Sequence, residues 1–217
     1  MREVGNQLRE LYLAELRNSQ LYSSAFVTHG ISTFLVLFLG WWFCCKMIDT
    51  VAHYSKHVQE SKLQPIEKTD NARLRQIAKR TVLRNWIFVL VQTVLFAPIL
   101  KSAFPIIDLS AAMTPPQYAA FFVCWFVTND FIFTCFHFMF HEIPWLYQAA
   151  HKEHHTWTAP FPWMSHAMSF YELTANGIGV MFWPIINTMW LSNETPLQLV
   201  WIVQLVSQLI GCIEHSG

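Results

Sequence analysis

The sequence predicts an all-α integral membrane protein, a bundle of four to five apolar segments carrying a histidine cluster on its cytoplasmic face. Composition is the first reason. Of 217 residues, 53 % are hydrophobic and 13 % charged, against about 25 % charged in a soluble domain. The deficit lies in long apolar runs rather than being spread along the chain. The second reason is the stretch HFMFHEIPWLYQAAHKEHH at 137–155, which holds five of the ten histidines. Scatter at this chain's histidine frequency would place about one there.

The first apolar segment runs from Ala25 to Cys45. The second, Trp86 to Ile107, is interrupted by Pro98, Lys101 and Pro105. The third, Gln117 to Phe136, contains Asn129 and Asp130. A fourth covers Leu173 to Leu191 and a shorter fifth Leu197 to Ile213, and these two fit either a membrane hairpin, a re-entrant pair or buried helices. The first run follows 24 mostly polar residues and no A-x-A site follows it, so a cleaved signal peptide is not expected. No repeat or low-complexity tract is present.

Residues 1–116 read as an N-terminal membrane region with a polar loop at 46–85, and residues 117–217 as the histidine-bearing domain. That loop carries nine Lys or Arg against four acids, which by the positive-inside rule places it in the cytoplasm. Alternation then puts Asp108 to Pro116 on the far side and returns His137 to the cytoplasmic side. A further hairpin brings His215 back to it. Six histidines, His137, His141, His151, His154, His155 and His215, are thereby expected at one membrane face.

His137 and His141, four apart, share one helical face, and Asp130 lies on the same stripe seven residues earlier. Pro144 disfavours helix at Ile143 and suits the first turn of a second helix, Trp145 to His155. His151, His154 and His155 would share one face of that helix. Trp157, Phe161 and Trp163, interleaved with Pro160 and Pro162, suggest a loop at the interfacial aromatic belt. Single histidines such as His29, His53 or His57 read as surface or core residues. The paired H-x-x-x-H and H-x-x-H-H read as a metal site, because burying neighbouring imidazoles without partners is costly and neutral imidazole is a metal ligand.

Imidazole suits zinc, copper, iron and nickel alike, and more than four histidines at one face argue for more than one ion. No H-E-x-x-H or H-x-x-E-H zinc motif occurs, since position 145 is Trp, and no Glu-x-x-His pair marks a ferritin-like site. Asp130 and Glu214 are expected to orient imidazole N–H groups. The five cysteines lack C-x-x-C spacing, and Cys44 and Cys45 read as buried packing rather than acylation sites. Zero net charge gives no sign of nucleic acid. No G-x-G-x-x-G occurs, so no nicotinamide or flavin site is expected.

HFMFH followed by HKEHH, a membrane hairpin and then EHSG resembles the fatty acid hydroxylase superfamily over roughly Phe121 to Gly217. IPWLYQAAHKEHH and MSFYEL are similar to its cholesterol 25-hydroxylase-like branch, with Ser169 where methylsterol oxidases carry a histidine and His166 offset from it. The resemblance implies a non-haem centre of two iron ions held by the six histidines. It further implies hydroxylation of a sterol or related lipid with dioxygen, electrons from a separate membrane redox protein, and the endoplasmic reticulum membrane. Desaturation or methylsterol oxidation by the same superfamily is the alternative outcome. Zinc in place of iron, or a non-enzymatic membrane protein, are further alternatives. The family carries another H-x-x-H-H after this point, whereas the sequence ends at Gly217. Residues 117–217 are thus expected to be C-terminally incomplete, and six histidines would give each of two ions only three ligands. An inactive truncated form is the corresponding expectation.

Overall fold

The computed structural model describes residues 26–61, 72–103, 107–108, 113–156, 161–189 and 195–216. Among these, five long helices make up the fold: α1 (Ser32–Tyr54), α2 (Ala72–Ala103), α3 (Pro115–Glu142), α4 (Phe170–Met189) and α5 (Leu197–Glu214). A π-helical turn, Phe26–Ile31, leads into α1, and a short helix, Lys56–Ser61, follows it. The architecture is all-helical apart from one two-residue parallel pairing, Ile107 with Thr195 and Asp108 with Pro196. Within the described residues the apolar segments are helical apart from Ile107. Among the described residues three stretches are long and apolar enough to cross a membrane: His29–Tyr54, Pro115–Glu142 and Leu197–Glu214.

The second and fourth segments fall short of that composition, so three of the five apolar segments are candidate spans. The charged first half of α2 and the polar Glu172, Asn176, Asn187 and Thr188 of α4 dilute their hydropathy. Both nevertheless run the length of the bundle. At one end Arg84 of α2 meets Glu153 at 3.2 Å, and Glu172 of α4 meets His151. At the other, Asn187 and Thr188 bond Thr195 at 2.8 and 2.9 Å, beside the pairing with Ile107. Twenty residues at about 1.5 Å each span about 30 Å, the thickness of a bilayer core.

The packing shows how polar backbone is handled in this apolar interior. Pro184 in α4 has no N–H to offer the Val180 carbonyl four residues back. Trp125 Nε1 of α3 takes that place at 3.1 Å, and its ring is 2 % exposed in a core with Phe121, Leu199 and Val203. A freed carbonyl in a membrane interior must find such a donor. α1 and α5 approach closely at Gly40, where an added Cβ would displace the Leu205 side chain. Near the histidine end, Cys45 and Cys212 touch at 3.6 Å, and Trp41 donates to Ser165 at 3.0 Å. Cys44 and Cys45 are buried, as packing residues.

Of the basic 46–85 stretch, the described residues Lys46 on α1 and Arg84 and Asn85 on α2 lie at the histidine end. Asn85 donates to the carbonyls of His166 and Met168 at 2.7 and 2.9 Å, and Lys46 Nζ lies 5.9 Å over the Trp163 ring. Trp163 corrects the belt reading. Its ring packs on Trp41 with centroids 5.3 Å apart, and its Nε1 bonds Asp49, so the residue faces the bundle. A tryptophan satisfies its N–H and buries its ring together when a carboxylate is in reach. Trp157 and Pro160 lie outside the described residues.

Candidate metal centre

His137 and His141 stand on the last turns of α3, one helical turn apart. The helix ends where the sequence places the break: Ile143 is extended and Pro144 opens the next turn. The following segment is not the regular helix expected for 145–155. A turn at Pro144–Leu146 passes into a π-turn over Tyr147–His151, closed by Lys152 N–H to Tyr147 O at 2.8 Å, and then a 3₁₀ turn at His154–Thr156. The helix thus widens and then tightens across the three histidines. His151 and His155 turn toward α3, while His154 turns toward the end of α5. Single π-turns of this kind concentrate at functional sites.

Four ring nitrogens form a chain of close contacts. His137 Nε2 lies 3.2 Å from His141 Nε2, which is 3.1 Å from His151 Nε2, which is 2.8 Å from His155 Nε2. His137, His141 and His151 have ligand atoms all within 4.8 Å of one another. His154 is stacked beside His151 at 5.6 Å between centroids, and His215 meets His154 edge-on at 5.1 Å. All six predicted histidines are thus brought to one end of the bundle, in a group of four and an adjoining pair.

Hydrogen bonding alone does not satisfy the group of four. His151 is fully buried, and its Nδ1 lies 3.1 Å from Glu172 Oε1, close but without the alignment of a full hydrogen bond. A proton on Nδ1 leaves one lone pair on His151 Nε2 facing two neighbours. A neutral ring nitrogen offers either one N–H or one lone pair. Three contacts in a chain therefore exceed what these rings can pair. A cation accepts several lone pairs at once. Nitrogens bound to one ion at about 2.0–2.1 Å sit about 2.8–3.4 Å apart for octahedral or tetrahedral angles. All three observed separations fall in that range, so the residues fit a metal.

The ring orientations are held from behind. His215 Nδ1 donates to the Gly211 carbonyl at 2.7 Å, which leaves Nε2 with its lone pair. Glu172, 4 % exposed, stands behind His151, and its own backbone N–H is tied to Ser169 Oγ at 3.1 Å. This is the residue the sequence reading missed. Asp130 and Glu214 were expected in that role, but both are exposed, and the carboxylate that reaches an imidazole nitrogen is Glu172. Its signal was the MSFYEL segment, where Ser169 and Glu172 sit three apart at the start of α4. Burial, reinforced by the nearby His215 and His151 rings, pushes His154 down to about 3, and burial likewise lowers His155. His154 Nδ1 is buried with no hydrogen-bond partner. Neutral imidazoles with free lone pairs are what a metal requires. His166 stands apart, stacked on Trp86 at 4.8 Å.

Residues 122–217, which carry every one of these histidines, match the fatty acid hydroxylase family. Over that stretch the chain is similar to the fatty acid hydroxylase family. The chain is 30 % identical over 88 residues to cholesterol 25-hydroxylase-like protein 1, member 2, of Danio rerio, covering 41 % of this chain and 30 % of that protein. It is 28 % identical over 95 residues to cholesterol 25-hydroxylase of Rattus norvegicus and to that of Mus musculus, covering 44 % of this chain and 30 % of each relative. The match therefore spans under a third of each relative's length. No solved structure matches the chain.

Proposed function

We propose that this chain oxidises an unactivated C–H bond of a lipid, with a sterol-like molecule as the substrate class and iron as the metal. The observation that carries this reading is the chain of four Nε2 atoms, joined by three contacts at 2.8–3.2 Å, beside an apolar cavity of about 1400 Å³. Small-molecule sites are about 300–1,000 Å³, so this one suits a large apolar ligand. The proposed ligands are His137, His141, His151 and His155 in the first group and His154 with His215 in the second. Two ions are proposed because six imidazoles in two groups exceed the needs of one. Iron bound there supplies reductive activation of dioxygen and oxidation of the C–H bond.

The chain's own residues do the rest. Glu172 holds the proton of His151 on Nδ1, and the Gly211 carbonyl holds that of His215, so both rings offer Nε2. Walls such as Leu37, Phe133 and Val200 keep water from the bound lipid. Residues 117–217 act as the catalytic domain and 1–116 as its membrane support. The histidine end faces the cytoplasm from the endoplasmic reticulum membrane, as the described basic residues of 46–85 at the same end support. Electrons come from a separate membrane redox protein.

The test supplies the purified chain with ferrous iron, a reductase system and a panel of sterols and fatty acyl lipids under ¹⁸O₂. Label in a new alcohol supports the proposal, an alkene product would make it a desaturase, and unchanged lipids with bound zinc would overturn it.

A further inference from the structure

The cavity that reaches His137, His154, His155 and His215 extends away from them along one stripe of α5, past Gly211 to Gln208 and Gln204. These positions are spaced four, three and four apart, one face of a helix. Gln208 lies seven residues and Gln204 eleven residues before His215, about 10 and about 16 Å along the axis at about 1.5 Å per residue. Both side-chain oxygens are buried and have no hydrogen-bond donor. Gln204 Nε2 reaches only the Met181 sulfur, at 3.2 Å, and Gln208 Oε1 lies 3.9 Å from where a Cβ on Gly40 would sit. An unpaired buried acceptor costs about 1–3 kcal/mol, and here two stand on the wall of one cavity.

We infer, on the reading of this chain as a lipid hydroxylase, that Gln204 and Gln208 recognise a hydroxyl group on its substrate. The chemistry of the orphaned atoms sets the class. Both are acceptors, so they require a donor. An alcohol O–H donates to an amide oxygen and accepts from an amide nitrogen, matching both halves of glutamine. Ketones, esters and ethers only accept. Carboxylates only accept and bring a charge that an apolar cavity penalises. The substrate is therefore a neutral lipid alcohol. Its hydroxyl lies roughly 10–16 Å from the carbon presented to the histidines, given about 1.5 Å of rise per residue. Ile178 and Phe182 of α4 line the same cavity and are 48 % and 41 % exposed, apolar surface for the body of such a lipid.

The experiment measures binding of three radiolabelled lipids to the full chain in nanodiscs: a sterol, its 3-ketone and its methyl ether. The alcohol is expected to bind about tenfold more tightly than the other two, the worth of about one hydrogen bond. Gln204→Leu and Gln208→Leu should each shrink that preference while leaving ketone and ether binding intact, which also reports that the variants are folded. Gln204→Met repeats the measurement at an unbranched side chain of similar length. Equal affinity for the three lipids, a preference that survives in both leucine variants, or no binding of any lipid overturns the inference. Oxidation is followed on the same samples. Lipid oxidation without alcohol preference sinks this inference alone, and alcohol preference without any oxidation sinks only the hydroxylase reading.

Discussion

Removing the Glu172 carboxylate should weaken metal binding more than any other single change outside the histidines. Glu172 Oε1 stands 3.1 Å from Nδ1 of His151, and His151 is the hub whose Nε2 touches both His141 and His155. Both partners are nearly inaccessible, at 4 % and 0 % exposure. Water therefore cannot replace the lost group. Glu172→Ala leaves a buried imidazole N–H without an acceptor, a cost of about 1–3 kcal/mol. At about 1.4 kcal/mol per tenfold, that is roughly tenfold to a hundredfold in affinity, the range seen for carboxylates behind metal-bound histidines. Glu172→Gln keeps an acceptor and loses the charge, so its effect should sit near the lower end. The assay is anaerobic titration of the metal-free chain with ferrous iron, and with cobalt(II) as a coloured probe. Asp130→Asn, altering the exposed carboxylate of α3, serves as the control and should change little. Wild-type affinity in Glu172→Ala, or equal losses in Glu172→Ala and Asp130→Asn, would refute the reasoning.

Trp125→Phe keeps most of the ring but leaves the Val180 carbonyl, which Pro184 cannot serve, without its donor. A loss of about 1–3 kcal/mol in unfolding stability is expected, and a variant as stable as the parent in a denaturant titration would show that the carbonyl finds another partner. Cysteines placed at Lys56 and Gln148, both exposed, should react with a membrane-impermeant maleimide from the same side of sealed vesicles; labelling from opposite sides would break the placement of the basic loop beside the histidines. The metal-free chain should lose stability as pH falls from about 6.5, because His154 and His166 are held down to about 3 and about 4 by burial while the unfolded chain takes up protons at the ordinary value near 6.5. The unfolded state binds more protons in that window, so stability rises with pH through it and levels off above. A thermal midpoint independent of pH between 4 and 6.5 would contradict the burial of these rings.

The sequence by itself determined the parts of this protein that depend on local pattern. Apolar runs of bilayer length become helices whatever their neighbours. His137 and His141 share a face because four residues nearly complete a helical turn, and Pro144 ends the helix because its ring excludes helical backbone at Ile143. The excess of basic residues in 46–85 led to the expectation of that stretch on the histidine side, and of its described residues Arg84 meets Glu153 there.

Tertiary structure decided what depends on partners distant in the chain. The π-turn at Tyr147–His151 has no signature in its residues; it lets His151 reach His141 while His154 reaches His215. Trp163 turned inward because Asp49, far off in sequence, offers its N–H a carboxylate. The carboxylate behind His151 is Glu172 because packing of α4 on α3 buries it there, whereas Asp130, on the right stripe of its own helix, stays exposed on the cavity wall. Periodicity fixes which residues share a face of one helix. Only the packing of helices fixes what that face meets, since contact energies between distant segments are paid out after the segments have formed.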